Sequence, residues 1–375
     1  MTIRTAIFAC VVWPLVLGSA ASAAQTSPNT FDQLVAQANS ARQQNDSAEA
    51  IYLYQKAVKM DPKWSDGWWF LGSLQYQASA YGSATQALSH YIDLMPNAAP
   101  AYALRGLCEF ELAQYPPSLQ DIQHAISLGA ADNPHNAGVL VFHKALLLTQ
   151  LGHFQKALTS YKELIDHGAG SPNVITGLGL AGLRMPILPQ DIDPSKVDFI
   201  SQVGLAAADV MGGSLTRGDQ AFQAIFQSYP DQPHIHYLYG YLLSMMDPAG
   251  AVAQFKDELK VSPKSALTSS MLAWDLGMQG KYHEALPYAR ESIQENPSLP
   301  MAMLVMGKDL VETGNMAAAL PYLHALIKKF PRNLEAHLTL VKAYSDLGQA
   351  SKARQERLLC LAISTRKAMS PNAEL

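Results

Sequence analysis

The sequence predicts an all-α fold, a solenoid of helix–turn–helix repeats, and three observations predict it. Pro263, Pro297 and Pro331 stand 34 residues apart, and Pro62 and Pro96 repeat that spacing near the N-terminus. Twelve residues before each of these prolines stands an alanine: Ala50, Ala84, Ala251, Ala285 and Ala319. Between these marks apolar residues recur every three or four positions, the helical period, in paired stretches of about 13 residues. A fixed period of this length is the signature of stacked supersecondary units.

Each mark has a mechanical reason. Extending the alanine phase through the weaker units gives Ser118, Ala157, Gly218 and Ala353, so nine positions hold small side chains. Two antiparallel helices need a small residue where they cross most closely, because a larger one forces them apart. Gly280, Gly314 and Gly348 fall at the turn between paired helices, where a left-handed residue ends the first helix. The prolines stop the second helix by removing an N–H donor and crowding the preceding turn.

Trp68, Leu71 and Gly72 resemble the first-helix motif of the tetratricopeptide repeat family, and Ala50, Tyr54, Ala57 and Pro62, in the unit before, resemble its second-helix motif. Similar sets are Gly307, Ala319 and Pro331, and Gly106, Ile122 and Ala125. The resemblance implies about nine tetratricopeptide-type units: 31–64, 65–98, 99–132 and 138–171 in an N-terminal array, then 199–232, 233–265, 266–299, 300–333 and 334–367 in a C-terminal one. Two departures interrupt it. Ser118 to Ala157 is 39 residues, so the connection 129–136 carries about five extra. Residues 172–198 belong to no unit: a short apolar helix over 173–184 precedes Pro186, Pro189 and Pro194, and Asp193-Pro194 reads as an N-cap with proline at the first helical position. A spliced half-repeat that bends the superhelix and a partner-specific loop both fit this segment.

The chain has 375 residues, 49% hydrophobic and 15% charged, with net charge −4. It is too apolar to be disordered and offers no basic footprint for nucleic acid. One core stops growing at about 250–300 residues, so this length asks for two domains or a solenoid. Residues 1–24 read as a cleaved signal peptide: Arg4, an apolar run from Thr5 to Leu17, and small residues at Ala21-Ser22-Ala23. The expected location is therefore the periplasm or the extracellular space. No later stretch reaches the length of a membrane span. Cys108 and Cys360 each fall in a helical pattern and are expected to be buried.

No chemistry is legible. Gly177-Leu178-Gly179-Leu180-Ala181-Gly182 mimics a dinucleotide fingerprint but lacks the strand and βαβ context that motif requires, so close helix packing explains it. The histidines are scattered, and His234 with His236 would diverge on a helix. No catalytic residue, cofactor or metal is expected, and the protein reads as a non-enzyme. The family's two-carboxylate clamp finds Val35, Asn39, Phe70, Pro100 and the neighbours of Gly106 in its slots, of which only Asn39 fits.

The resemblance implies that the first helix of each unit lines a concave groove. Projecting the phase places Trp69, Tyr76, Phe110, Phe142 and Tyr237 there, together with Tyr241, Trp274, Met278, Met301 and Leu304. In the tandem Trp68-Trp69, the first ring is expected to pack between helices and the second to face the groove. Aromatic and Met side chains suit a protein or peptide ligand. The expected function is a non-catalytic exported scaffold within a cell-envelope complex. The alternatives are a self-assembling structural protein, which would be a homo-oligomer, and a regulatory subunit of an envelope enzyme.

Overall fold

The computed structural model describes residues 30–132 and 134–369, among which there are 19 α-helices and no strand. The leader read at residues 1–24 lies outside the described residues. The N-terminal helices are α1 (Phe31–Gln43), α2 (Ser47–Met60), α3 (Ser65–Gln77), α4 (Tyr81–Leu94), α5 (Ala99–Glu111), α6 (Tyr115–Ser127), α7 (Pro134–Gln150) and α8 (Phe154–Asp166). An additional helix, α9 (Pro172–Gly182), precedes α10 (Val197–Met211) and α11 (Leu215–Ser228). The chain continues through α12 (Ile235–Leu243), α13 (Pro248–Val261), α14 (Ala266–Met278), α15 (Tyr282–Glu295), α16 (Pro300–Glu312), α17 (Met316–Lys329), α18 (Leu334–Asp346) and α19 (Ala350–Met369).

Paired helices cross at the small residues. All nine positions of that phase, from Ala50 to Ala353, are buried. The first helix contributes its own small residue to the crossing. A Cβ on Gly72 would come within 2.8 Å of Leu88, one on Gly106 within 2.9 Å of Ile122, and one on Gly307 within 2.6 Å of Leu323. The turns are equally uniform. Asn45, Ser79, Ala113, Gly152, Gly213, Gly280, Gly314 and Gly348 all take positive φ. The next residue then closes a bond back into the first helix, as Ala80 N donates to Gln75 O at 2.8 Å and Asn315 N to Leu310 O at 2.7 Å. Five of these turns use glycine and three use Asn, Ser or Ala, so the geometry is fixed by the crossing more than by the residue type.

First helices of successive pairs also touch each other, α3 with α5, α10 with α12, α14 with α16 and α16 with α18, and α7 touches the additional helix α9. Second helices of successive pairs show no comparable contact among the described residues. Closer apposition on one side curves a stack toward that side, so the first helices form its inner surface.

Helix α9 enters this stack through glycine. Gly177 sits under the Tyr161 ring of α8, and Gly182 under Leu238 of α12. A Cβ on Gly179 would stand 2.0 Å from Ile200 O, and one on Gly204 1.9 Å from Ile175 O, so α9 and α10 cross backbone against backbone. The glycines of the false dinucleotide motif thus seat one helix against three others. Behind α9 the chain turns at Pro189–Asp191, and Asp193 accepts from Ser195 N at 2.9 Å before α10 starts. The restart after Asp193-Pro194 follows the expected cap.

One cap has no sequence signature. His234 precedes α12 at φ 75°, and its N–H donates to both oxygens of Glu258, at 2.9 and 3.1 Å. Tyr237 N donates to the same carboxylate at 3.2 Å. Glu258 is fully buried, and its oxygens are satisfied by the otherwise unpaired N–H groups at the start of α12.

The α9–α10 crossing leaves no room for a methyl group. Gly204→Ala is expected to lower stability by about 1–3 kcal/mol in denaturant melts, through overpacking against Ile175 O. Gly138→Ala, where a Cβ meets nothing within 4 Å, should be neutral or slightly stabilising. Equal effects at the two sites would contradict the crossing.

Candidate functional site

On the inner surface the 34-residue phase sorts the side chains into rows. Leu267, Met301 and Glu335 form one; Trp274, Lys308 and Lys342 a second; Met278, Glu312 and Asp346 a third. These nine come from α14, α16 and α18, whose mutual contacts hold the rows in register. Lys308 Nζ lies 4.4 Å from the centre of the Trp274 ring and 2.5 Å from Glu335 Oε1. Lys342 pairs with Glu312 one repeat back. Met278 is 61% exposed at the α14 end. The surface therefore changes from apolar at α14 to charged at α18. The five charged residues were not among those expected from the sequence, although Lys308 and Lys342 follow Trp274 at the repeat period and could have been found by it.

The ten residues expected in the groove do not share one environment. Trp274, Met278 and Met301 stand in the rows just described. Tyr237 and Leu304 are core residues, at 2% and 7% exposure, and Tyr237 additionally accepts from Gln155 Nε2 at 3.1 Å. Trp69 and Phe142 share the phase of Leu304 and are half-buried, Trp69 against a cluster that includes Ala84 and Leu88 of its own repeat and Ala101 and Cys108 of the next. Trp69 lies 5.5 Å from Tyr91. Trp68 is also half-buried, stacked on His90 at 4.3 Å with its Nε1 donating to Pro62 O, so the tandem does not divide its labour as expected. Tyr76 and Phe110 lean on Tyr81 and Tyr115, the residues that open the following helices. Tyr241 is half-buried beside Tyr237.

First helices also bury polar and acidic side chains. Gln75 and Glu109 occupy one phase, and Asp275 and Asp309 another pair 34 residues apart. Asp275 Oδ2 accepts from Ser244 Oγ at 2.8 Å, whereas Asp309 Oδ2 has no partner among the described residues. Burial pushes Asp275 up to about 6 and Asp309 to about 7, since desolvation penalises the charged form. Glu109 is raised to about 7 by burial and by the neighbouring Asp121.

Among the described residues no three His, Cys, Asp or Glu side chains come together as a metal ligand set, and no helix is long and apolar enough to cross a membrane. Cys108 and Cys360 are buried and free, and burial pushes the Cys108 thiol up to about 12, which suits a small packed side chain and not a nucleophile.

Models of the tetratricopeptide repeat match residues 35–99 and 310–356, at opposite ends of the helical stack. The chain carries tetratricopeptide repeats at both ends of its stack. Solved structures align with it loosely. One is YrrB, described as a TPR protein with an unusual peptide-binding site, at 18% identity and TM-score 0.39 over 47% of this chain and 91% of that one. Another is MamA, at 17% identity and TM-score 0.40 over 44% of this chain and 97% of that one. A tetratricopeptide repeat protein from Parabacteroides merdae ATCC 43184 aligns at 14% identity and TM-score 0.33 over 88% of this chain and 98% of that one. Superpositions this loose carry no weight for partner or activity. A search of curated proteins gives no match.

The buried acids set a pH dependence for the repeat stack. Unfolded carboxyls ionise near pH 4, whereas these hold their protons to about 6 and 7 in the fold. Their contribution to stability is full below the unfolded value and lost as pH rises to about 7. Asp309→Asn is expected to flatten urea-melt stability between pH 4.5 and 7.5 relative to wild type. An unchanged slope would show that Asp309 ionises normally.

Proposed function

We propose that this protein is a non-catalytic scaffold that holds a protein or peptide partner on the inner surface of its first helices. The observation that carries the reading is the graded surface on α14, α16 and α18. An exposed Met278 and a half-buried Trp274 provide apolar anchors, and the Lys308–Glu335 and Lys342–Glu312 pairs beside them provide polar register. Such a surface suits a peptide with one or two apolar anchors followed by charged residues, because anchors give affinity and rim charges give orientation. The repeat family's role as a protein-interaction scaffold supports it. The leader at residues 1–24 supports a site of action in the cell envelope, where the partner would be a component of an envelope complex.

Affinity capture from an envelope extract tests the reading, with a double Trp274→Ala, Met278→Ser variant as the control. The variant is expected to melt close to wild type, since Met278 is exposed, and to lose at least about ten-fold in affinity for the captured partner. Wild-type binding by the folded variant would remove the groove from consideration.

A second reading, self-association, draws on the C-terminal end of the stack. Leu338 repeats the phase of buried Leu304, and Leu361 that of Ile327, which packs against the core; at the last repeat they are 47% and 63% exposed. Arg354 and Arg357 already replace Leu320 and Leu323 of the preceding repeat there. If the remaining apolar positions join two copies, light scattering should give a dimer mass that Leu338→Asp with Leu361→Glu halves. A wild-type monomer at high concentration would exclude it.

A further inference from the structure

A cavity of about 230 Å³ lies between α6, α7 and α8, on the side of the stack that bears second helices. Gln123, Lys144, Lys156, Ser160 and Glu163 line it. Lys144 is 3% exposed, and the nearest carboxylate oxygen, on Glu163, is 3.9 Å from its Nζ. That is beyond hydrogen-bond distance, so a buried ammonium faces the cavity with its donors unmatched by any carboxylate. Burial lowers the Lys144 pKa, while Glu163 raises it in part.

The preceding repeat shows how this arrangement is completed. Repeat phase carries Ser89 to Gln123, Arg105 to Lys144 and Asp121 to Ser160, the last two across the lengthened 39-residue unit. In that repeat Arg105 donates from Nε and Nη2 to the two oxygens of Asp121, at 2.6 and 2.9 Å, and from Nη1 to Ser89 Oγ at 3.0 Å. One repeat later the cation is kept as Lys144 and the hydroxyl becomes the Gln123 amide. The carboxylate alone is gone, replaced by Ser160, whose hydroxyl donates to Lys156 O at 3.2 Å. The cavity occupies the space that the shorter serine side chain opens. A buried cation retained without its anion is costly, and Lys156 adds a second positive charge beside it.

We propose that this cavity is a binding site for a carboxylate, which accepts from Lys144 and the Gln123 amide as Asp121 accepts from Arg105 and is balanced by Lys156. The carboxylate is either a free small anion or the tip of an acidic side chain on a partner. Glu163, at the edge of the cavity, competes with it for Lys144.

The test follows the methyl resonances of Leu148, which also lines the cavity. The full-length protein is titrated with sodium acetate, with the peptide acetyl-Gly-Glu-Gly-amide, and with sodium chloride at matched ionic strength. Saturating shifts with acetate or the peptide, and none with chloride, are expected. Tighter binding of acetate assigns the site to a free anion, and tighter binding of the peptide assigns it to an acidic side chain. Lys144→Met, which keeps the buried stem, should weaken binding about ten-fold or more, and Glu163→Gln should tighten it several-fold. Ser160→Asp, which restores the earlier repeat's pair, should abolish the response and raise the melting temperature. A response no different from chloride, or one that survives in folded Lys144→Met, overturns the proposal.

Discussion

The crossing of two helices at a small side chain is the constraint on which the rest of this molecule depends. Nine second helices carry Ala, Ser or Gly at one phase, and first helices such as α3, α5 and α16 answer with Gly72, Gly106 and Gly307. With both sides trimmed, each pair settles at nearly the same spacing. The same spacing, repeated, presents nearly the same joint to the next pair, and the curvature that makes the first helices the inner surface follows. Stability in such a stack is close to a sum over units and nearest-neighbour joints. A bulky residue at a crossing is therefore felt by its own pair and the two beside it, and less by those beyond.

The insertion at α9 obeys the same constraint in a more extreme form. Elsewhere a small side chain meets a leucine or isoleucine; at Gly179 and Gly204 backbone meets backbone. That closer approach allows an unpaired helix to enter the stack without opening a gap, because its glycines take the surfaces of Tyr161, Ile200 and Leu238 at once. The main apolar core runs unbroken through it, from Ala99 to Ala353. The segment that breaks the repeat in sequence is thus a continuous part of the packing.

The fold was legible because its information is periodic. Proline, alanine and glycine at fixed spacing identify helix ends, crossings and turns, and each has one steric reason. The site was less legible, for a physical reason as well. Trp69, Phe142 and Leu304 lie four residues before the phase of Trp274, on a neighbouring strip of the same helix face, and both strips are apolar in the sequence. Which strip is covered and which meets solvent is settled by how pairs stack, and that is a tertiary property. Glu258 escaped for a similar reason: its partner is the end of a helix 21 to 24 residues earlier, and a backbone N–H leaves no mark in a sequence. The charged rows did leave one. Lys308 and Lys342 repeat Trp274, but a search confined to apolar side chains passes over them.

Polar substitutions inside an apolar repeat also show what a solenoid permits. The phase of Arg105 and Lys144 holds Leu71, Leu272, Met306 and Leu340 in other units, all buried. Placing a cation there costs desolvation whatever its partner. In the third unit Asp121 offsets that cost within the chain, with a bidentate pair and a hydroxyl. In the fourth no carboxylate does so at bonding distance, and the cost is met only through a lowered pKa and the distant Glu163. Because joints are energetically local, one unit can carry this deficit while its neighbours remain sound. The outer side between α6, α7 and α8 can thus specialise without disturbing the inner rows on α14, α16 and α18, and a single stack can offer two chemically distinct surfaces, one graded from apolar to charged and the other cationic and recessed.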